Sequence, residues 1–392
     1  MAHSFRHHHI LMIMEGYDHQ SLPLDRFVGN YFRQHKSLGS KDRSEIAETV
    51  YAMIRFRGLL DEICKICGFP STWEQKLKAF CDESFSSYKE SSCIPPHIRV
   101  SFPKILFDHL SDCFGEGKAI DICKVSNSAA PTTARVNTMK TSRDSLILRL
   151  AHEFHVTPCT FAPDGIVFSK RISFSQMPEF REGLFEIQDE GSQLIGGLVE
   201  AKPGQLVMDY CAGAGGKTLC FAPRMQNRGQ IYLHDIRKWA LDDCKKRLRR
   251  AGIQNAQIVL PDQVDKLKKL KKQFDWVLVD APCTGTGTLR RNPDMKWKIN
   301  EEMLVRLVGQ QRMIFEKALS FMKPDGHIVY ATCSLLKMEN RDQVDHFIKT
   351  YDLELVRDFE SIPILNGMDG FFGAVLRRKS GIKTPPHAIH LI

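Results

Sequence analysis

The sequence predicts an α/β fold: a doubly wound, mostly parallel sheet over residues 186–380, preceded by an α-helical domain over 15–93 and a small α+β domain over 94–185, with a tail at 381–392. Three observations carry this reading. From Leu184 onward the short apolar runs QLVMDY, QIYLHD, AQIVLP, FDWVLVD and GHIVYAT alternate with stretches such as IRKWALDDCKKRLRRAG and NEEMLVRLVGQQRMIFEKALSFM. Strands separated by helices in this way build parallel sheets with sites at the C-terminal strand ends. Before them, residues from about Ser21 to Cys93 carry apolar side chains at helical spacing. Between these regions, from Thr132 to Phe185, TTARVNT and GIVFSKRISF alternate with period two around a helical SRDSLILRLAHEF.

In the helical domain, Ser40 is the expected N-cap, with Glu45 in the opening turns and Ile46, Val50, Met53 and Ile54 on one face. No pair of catalytic groups stands out there, which suits a bundle that packs and binds. Cys93-Ile-Pro-Pro and Ser101-Phe-Pro punctuate a boundary. The α+β unit carries Arg135, Lys140, Arg143, Lys170 and Arg171, readable equally as a solvated surface or as phosphate contacts.

With 392 residues, 43% of them hydrophobic, the chain has enough apolar material for two or three packed domains. Its net charge of +9 and pI of about 8.9 suit a polyanionic partner without requiring one. Twelve cysteines are too dilute for a disulfide scaffold, and the one Cys64/Cys67 pair has no second pair to complete a zinc site. Reduced thiols place the protein in the cytoplasm. No apolar run approaches the ~20 residues that span a bilayer, and the start lacks the pattern of a signal peptide. His7, His8 and His9 read as an added or frayed terminus before they read as metal ligands.

The first strand of the α/β region runs into Asp209-Tyr-Cys-Ala-Gly-Ala-Gly-Gly-Lys-Thr218. A nucleotide-hydrolysing P-loop would need glycine where Cys211 stands. A nicotinamide dehydrogenase would need a third glycine where Thr218 stands. Asp235 ends the second strand, 22 residues beyond Gly213, where a carboxylate accepts from ribose hydroxyls. S-adenosylmethionine, which has no pyrophosphate, fits these parts. Cys211, Ala212, Gly213, Ala214, Gly215, Gly216 and Lys217 would form its loop, Asp235 would take the ribose, and Asp262 the adenine amino group. Asp209 would support the loop or the methionine end. Each acid alone reads equally well as a cap or turn residue; acids at successive strand ends in one crevice say more.

Asp280-Ala-Pro-Cys283 follows the fourth strand and Thr332-Cys333-Ser334 the fifth, so both thiols are expected in the same crevice. A cysteine is what carbon-5 methylation of cytosine requires, since a thiolate adding to carbon 6 makes carbon 5 nucleophilic. Asp280 is placed to act as the acid at ring nitrogen 3. Position alone does not tell which thiol attacks.

Asp280-Ala-Pro-Cys-Thr-Gly-Thr-Gly287, Arg291-Asn-Pro-Asp-Met-Lys-Trp297 and Tyr330-Ala-Thr-Cys-Ser334 closely resemble the bacterial Sun/Fmu-type RNA (cytosine-5)-methyltransferases. The resemblance covers nearly the whole chain. It implies a Rossmann-like class I methyltransferase domain, and it implies that Cys333 attacks while Cys283 assists product release. In DNA cytosine methyltransferases the Pro-Cys cysteine attacks instead. LGSKDRSEIAETVYAMIR is similar to the family's NusB-like RNA-binding domain, Arg135-Val-Asn137 to its substrate-binding insert, Gln188–Gln193 to the lead into the cofactor fold, and Asp369-Gly-Phe-Phe372 to its closing hairpin. The family loop usually carries proline where this chain has Ala214. Amino-methyltransferases carry Asp/Asn-Pro-Pro-aromatic in place of Asp-Ala-Pro-Cys.

Lys245, Lys246, Arg247, Arg249, Arg250 and the lysines from Lys266 to Lys272 read as solvated helix faces. Arg290, Arg291 and Lys296 are the better candidates for RNA phosphate, with Trp297 equally readable as core. The expected partner is RNA, ribosomal first and transfer RNA next, with no DNA, membrane or metal, and a monomeric chain. A non-catalytic RNA-binding assembly factor is the rival class; the presence of both thiols with Asp280 favours the enzyme.

Overall fold

The computed structural model describes residues 5–18, 22–170 and 172–379; Arg171 and the tail at 381–392 lie outside them. The chain divides into two compact units, Met1–Ala129 with Thr288–Met303, and Ala130–Gly287 with Leu304–Ile392. The division thus falls between Ala129 and Ala130, beyond the Pro-Pro boundary read at 93/94. Pro96 stands in the first turn of a short helix, Pro96–Arg99, where its missing N–H costs nothing. Helices then continue through Lys104–Phe114 and Glu116–Ser126.

The first unit is helical. Phe5–Tyr17, Leu24–Gln34, Ser40–Arg55, Arg57–Ile66 and Trp73–Cys81 enclose a core that includes Ile13, Met14, Ile46, Val50, Met53 and Leu60. Ile46, Val50, Met53 and Ile54 all point inward as their spacing requires. Gly39, not Ser40, takes the cap position, and no side chain bonds there. His7, His8 and His9 are helical and not frayed; His9 is buried, with its Nδ1 2.7 Å from the Tyr31 hydroxyl. Among the described residues no group of three His, Cys, Asp or Glu could hold a metal, and no helix is long and apolar enough to cross a membrane.

The second unit carries two sheets. The smaller consists of β1 (Thr132–Val136), β2 (Val156–Pro158), β3 (Gly165–Phe168) and β4 (Phe185–Ile187), antiparallel in the order β2-β3-β1-β4. The larger holds β5 (Leu206–Asp209), β6 (Gln230–His234), β7 (Ala256–Val259), β8 (Phe274–Asp280), β9 (Met322–Thr332), β10 (Leu353–Ser361) and β11 (Phe371–Arg378), in the order β10-β11-β9-β8-β5-β6-β7. Strands β5 to β9 run parallel, and β11 inserts antiparallel between β9 and β10. Successive residues serve opposite faces. Val207, Leu233, Leu278 and Val329 enter one core, while Met208, Val277, Val279 and Ile328 enter the other. From β5 the chain proceeds outward to β6 and β7, then returns to β8 on the other side of β5. The crevice beyond the ends of β5 and β8 is therefore the topological switch point.

The small sheet is fastened to the helix Lys238–Ala251 by a buried carboxylate. Glu186 on β4 accepts from Arg247 at 3.1 Å and Arg250 at 2.6 Å. These two arginines, read above as solvated, are turned inward because Glu186 offers a buried carboxylate, whereas Lys245, Lys246 and Arg249 stay on the outer face, Lys246 beside Asp243. Removing the acid leaves two half-buried cations without their partner. Glu186→Ala should destabilise this unit by about 3 kcal/mol, the lower end of the range for breaking a buried pair because the arginines retain some solvent. Urea unfolding followed by near-UV signal would measure it.

Candidate active site

The loop after β5 is shaped by glycine. Gly213 and Gly215 have φ of 53° and 79°, the left-handed region that other residues avoid. A Cβ at Gly215 would lie 2.6 Å from Cys244 Sγ, so the loop seats directly on the helix Lys238–Ala251. At Gly216 a Cβ would meet nothing within 4 Å, which leaves the backbone open to a ligand. No proline is needed to hold the turn. Ala214 O accepts from Arg247 at 2.9 Å, and Gly216 O accepts from Arg135 at 3.2 Å and Gln188 at 3.3 Å.

Asp235 is buried at the end of β6, where it accepts from Gly213 N at 2.8 Å and from Arg237 through N at 2.8 Å, Nε at 2.9 Å and the terminal guanidinium nitrogen at 2.9 Å. Burial pushes its carboxyl up, but these bonds prevail and hold it below the usual carboxylate range. Asp262 lies exposed beyond β7. Asp209 is the opposite case. It is buried at the end of β5, accepts from the Thr218 hydroxyl, and its Oδ1 has no partner within the protein. Burial pushes this carboxyl up to about 7, against the Thr218 bond, with repulsion from Asp280 adding to the rise. An open glycine backbone, a ribose-type acid and an orphaned buried oxygen in one crevice fit a nucleoside ligand with a cationic methionine end.

Register places the thiols. In the β8–β9 pairing Asp280 stands opposite Ala331, and Ala281 N donates to Ala331 O at 2.8 Å. The loops beyond bring Cys283 Sγ within 3.5 Å of Cys333 Sγ. Hydrogen bonding to Cys333 and burial push the Cys283 thiol well up. Lys217 ends the glycine loop with its Nζ 2.6 Å from Asp280 Oδ2. Burial alone would lower this ammonium, yet Asp280 and the proximity of Cys333 raise it, so Lys217 stays charged.

Behind the thiols lies a buried network that sequence reasoning missed. Glu339 Oε1 accepts from Thr284 N at 3.0 Å and Gln311 Nε2 at 2.9 Å, and Oε2 accepts from the Thr284 and Ser334 hydroxyls at 2.5 Å each. Gln343 donates to Gln311 Oε1 at 2.8 Å. The only sequence signal was an acid beside asparagine six residues after Cys333, which no periodicity distinguishes from a helix start. Arg237 was missed as well.

The residues expected to touch RNA are mostly turned inward. Arg135 is buried and donates to Gln188 and Gly216 O, so it braces the glycine loop. Asn137 is buried and donates to Gly183 O at 2.9 Å and Ala251 O at 2.8 Å, tying the small sheet to a helix end. Lys140 caps the same end through Arg250 O at 2.7 Å. Lys296 belongs to the helical unit, 1% exposed, with Nζ bonded to Arg55 O and Asn127 Oδ1 at 2.7 Å each. Burial holds its ammonium well below the usual range. Arg290 is buried in that unit too, and Trp297 donates to Ile54 O at 2.8 Å. Arg291 is half-buried there. For Arg135, Asn137, Lys140, Lys296 and Trp297 a backbone carbonyl or amide lies within reach of the side chain, and sequence spacing cannot reveal such acceptors.

The state of Asp209 has a measurable consequence. Its carboxyl is raised in the fold, so its stabilising contribution is complete below the unfolded value near 4 and is lost as pH rises through about 7. Asp209→Asn removes that dependence. In ligand-free protein the stability of the variant relative to wild type should rise between about pH 4 and about pH 7, with a slope of at most ~1.4 kcal/mol per pH unit; a flat difference in urea midpoints would mean that Asp209 ionises normally.

Residues 197–377 match the family described as "16S rRNA methyltransferase RsmB/F", and residues 102–175 match its ferredoxin-like domain. A ribosomal RNA small subunit methyltransferase B from Vibrio vulnificus is 30% identical over 383 residues, which is 95% of this chain and 83% of that protein. A probable ribosomal RNA small subunit methyltransferase B from Bacillus subtilis is 32% identical over 71% of this chain and 67% of its own. Its counterpart from Synechocystis is 30% identical, and there the chain spans 58% of the relative's length. Among solved structures, a methyltransferase homolog protein from Pyrococcus horikoshii superposes with a TM-score of 0.64 at 28% identity, over 75% of this chain and 99% of that one. Fold, glycine loop, paired thiols and these likenesses agree: the chain belongs to the RsmB/F family of 16S rRNA methyltransferases.

Proposed function

We propose that this chain methylates carbon 5 of a cytosine in RNA, with 16S ribosomal RNA the first substrate class and transfer RNA next, through a covalent adduct on Cys333. The observation that carries the reading is the 3.5 Å approach of Cys283 and Cys333 beside the Lys217–Asp280 ion pair. Bound S-adenosylmethionine supplies an electrophilic methyl group. The glycine loop from Cys211 to Lys217, with Asp235, Asp262 and Asp280, would hold it, and Asp209 Oδ1 offers its free acceptor to an ammonium. A ribose reaching Asp235 takes over bonds that the half-exposed Arg237 side chain now makes.

The family resemblance assigns the roles of the two thiols: Cys333 adds as thiolate to carbon 6, with the Lys217 ammonium nearby to favour negative charge there. The ring electrons gained at carbon 5 bond the methyl carbon. Proton delivery toward ring nitrogen 3 falls to the Lys217–Asp280 pair. A base then takes the carbon-5 proton with Cys283 assisting, and the electrons of that bond restore the double bond between carbons 5 and 6. The Cys333–carbon 6 bond breaks to release the thiolate, and the proton at ring nitrogen 3 returns to the Lys217–Asp280 pair. A base must leave its stack to reach this crevice. Arg291 remains a candidate for an RNA phosphate, and a ribosomal RNA substrate suits work in the cytoplasm.

Two predictions test this. Mixed with cellular RNA and labelled S-adenosylmethionine, Cys283→Ala should trap a protein–RNA adduct that survives denaturing electrophoresis, while Cys333→Ala should form neither adduct nor product. Adduct with Cys333→Ala alone would reverse the roles, and no label transfer by wild type to any RNA fraction would favour a non-catalytic assembly factor. Asp235→Ala removes charge-assisted acceptors, so the Kd for S-adenosylmethionine should rise about 10- to 100-fold by calorimetry.

A further inference from the structure

We infer that Glu339 is a positioning residue that sets the separation of Cys283 and Cys333, a role that rests on the reading of those thiols given above. Glu339 is fully buried, and both of its oxygens are used twice. Two of its four donors come from Thr284, the residue after Cys283, and a third is the hydroxyl of Ser334, the residue after Cys333. One carboxylate therefore holds the loop that follows β8 and the loop that follows β9 at their cysteines.

Surrounding bonds make the node rigid. Gln311 Nε2 bonds both Glu339 and Pro282 O, at 2.9 and 3.0 Å, so the helix Glu301–Leu319 grips the Pro-Cys turn at the same point. Tyr330 donates to Glu339 O at 2.7 Å, and Asn340 Nδ2 to Ser334 O at 2.8 Å. Gly287 N donates to Cys333 O at 2.9 Å, closing the ring from the other side. Burying a carboxylate is costly, and an apolar side chain would pack the space without that cost. What an apolar side chain cannot do is accept from both cysteine loops at once. A misplacement of about 1 Å in a reacting pair is enough to cost orders of magnitude in rate.

The test uses the full chain and a ruler independent of methylation. Diamide, an azo oxidant, takes two electrons and two protons from the two thiols as their Sγ–Sγ bond forms and its N=N bond is reduced to the hydrazine. Peptide mapping then follows the Cys283–Cys333 disulfide alone. Glu339→Ala should slow its formation at least about tenfold, and should lower kcat about 100-fold while leaving KM for S-adenosylmethionine unchanged. Glu339→Gln keeps an acceptor toward Thr284 N and Gln311, and the two hydroxyls can rotate to accept from its amide. It should restore the disulfide rate to within about threefold of wild type. If Glu339→Ala fails to fold, Thr284→Val and Ser334→Ala, each removing one donor, should slow the disulfide in its place. A folded Glu339→Ala, or both single-donor variants, oxidising at the wild-type rate would overturn the assignment. If wild type forms the disulfide quickly and Glu339→Ala slowly, but no variant methylates RNA, the positioning role stands and the proposed chemistry falls.

Discussion

The parallel pairing of β8 with β9 is the constraint on which the site depends. Cys283 and Cys333 lie 50 residues apart, and only the register that sets Asp280 against Ala331 brings their loops together. The register is locked because both strands are buried on both faces. Val277 and Val279 fill one core while Leu278 fills the other, and Ile328 and Tyr330 oppose Val329 in the same way. A slip of one residue would exchange every side chain between the two cores. The antiparallel β11 beside β9 adds a second row of ladder bonds and removes the edge that β9 would otherwise present.

On this frame the crevice concentrates charge that a protein interior normally rejects. Lys217 and Asp280 offset each other at 2.6 Å, and Asp235 is satisfied by Arg237 and a backbone amide. Asp209 is left short of one partner. Low polarity strengthens the pairs and penalises the orphan, so a single environment yields a charged lysine, an Asp235 held below the usual carboxylate range and an Asp209 pushed up to about 7. Such divergence among neighbouring titratable groups is characteristic of functional sites.

The small sheet supports this crevice from behind. Glu186 draws in Arg247 and Arg250, Arg247 in turn holds Ala214 O, and Arg135 with Gln188 holds Gly216 O. A glycine loop lacking proline thus gains its order from three side chains outside it. Arg135 and Asn137 are buried and tie the small sheet to that loop and its helix.

The sequence by itself determined the elements of the α/β unit and the chemistry at its strand ends. The five parallel strands were legible because burial on both faces leaves short continuous apolar runs, and Asp209, Asp235, Asp280 and the two cysteines stood out as reactive types at the ends of those runs. The strand β10 did not stand out, since LELVRDFES mixes charge into a half-buried edge. Tertiary structure alone decided which polar side chains face inward. Arg247, Arg250, Lys296, Arg135 and Glu339 look like ordinary surface residues in the chain, because what buries each is an acceptor or donor supplied from elsewhere in the fold: Glu186 for the first two, Arg55 O and Asn127 for Lys296, Gly216 O for Arg135, and the backbones and hydroxyls of two cysteine loops for Glu339. A carboxylate or carbonyl that will satisfy a charge carries no mark in the local sequence, so its partner can be recognised only once the chain has folded.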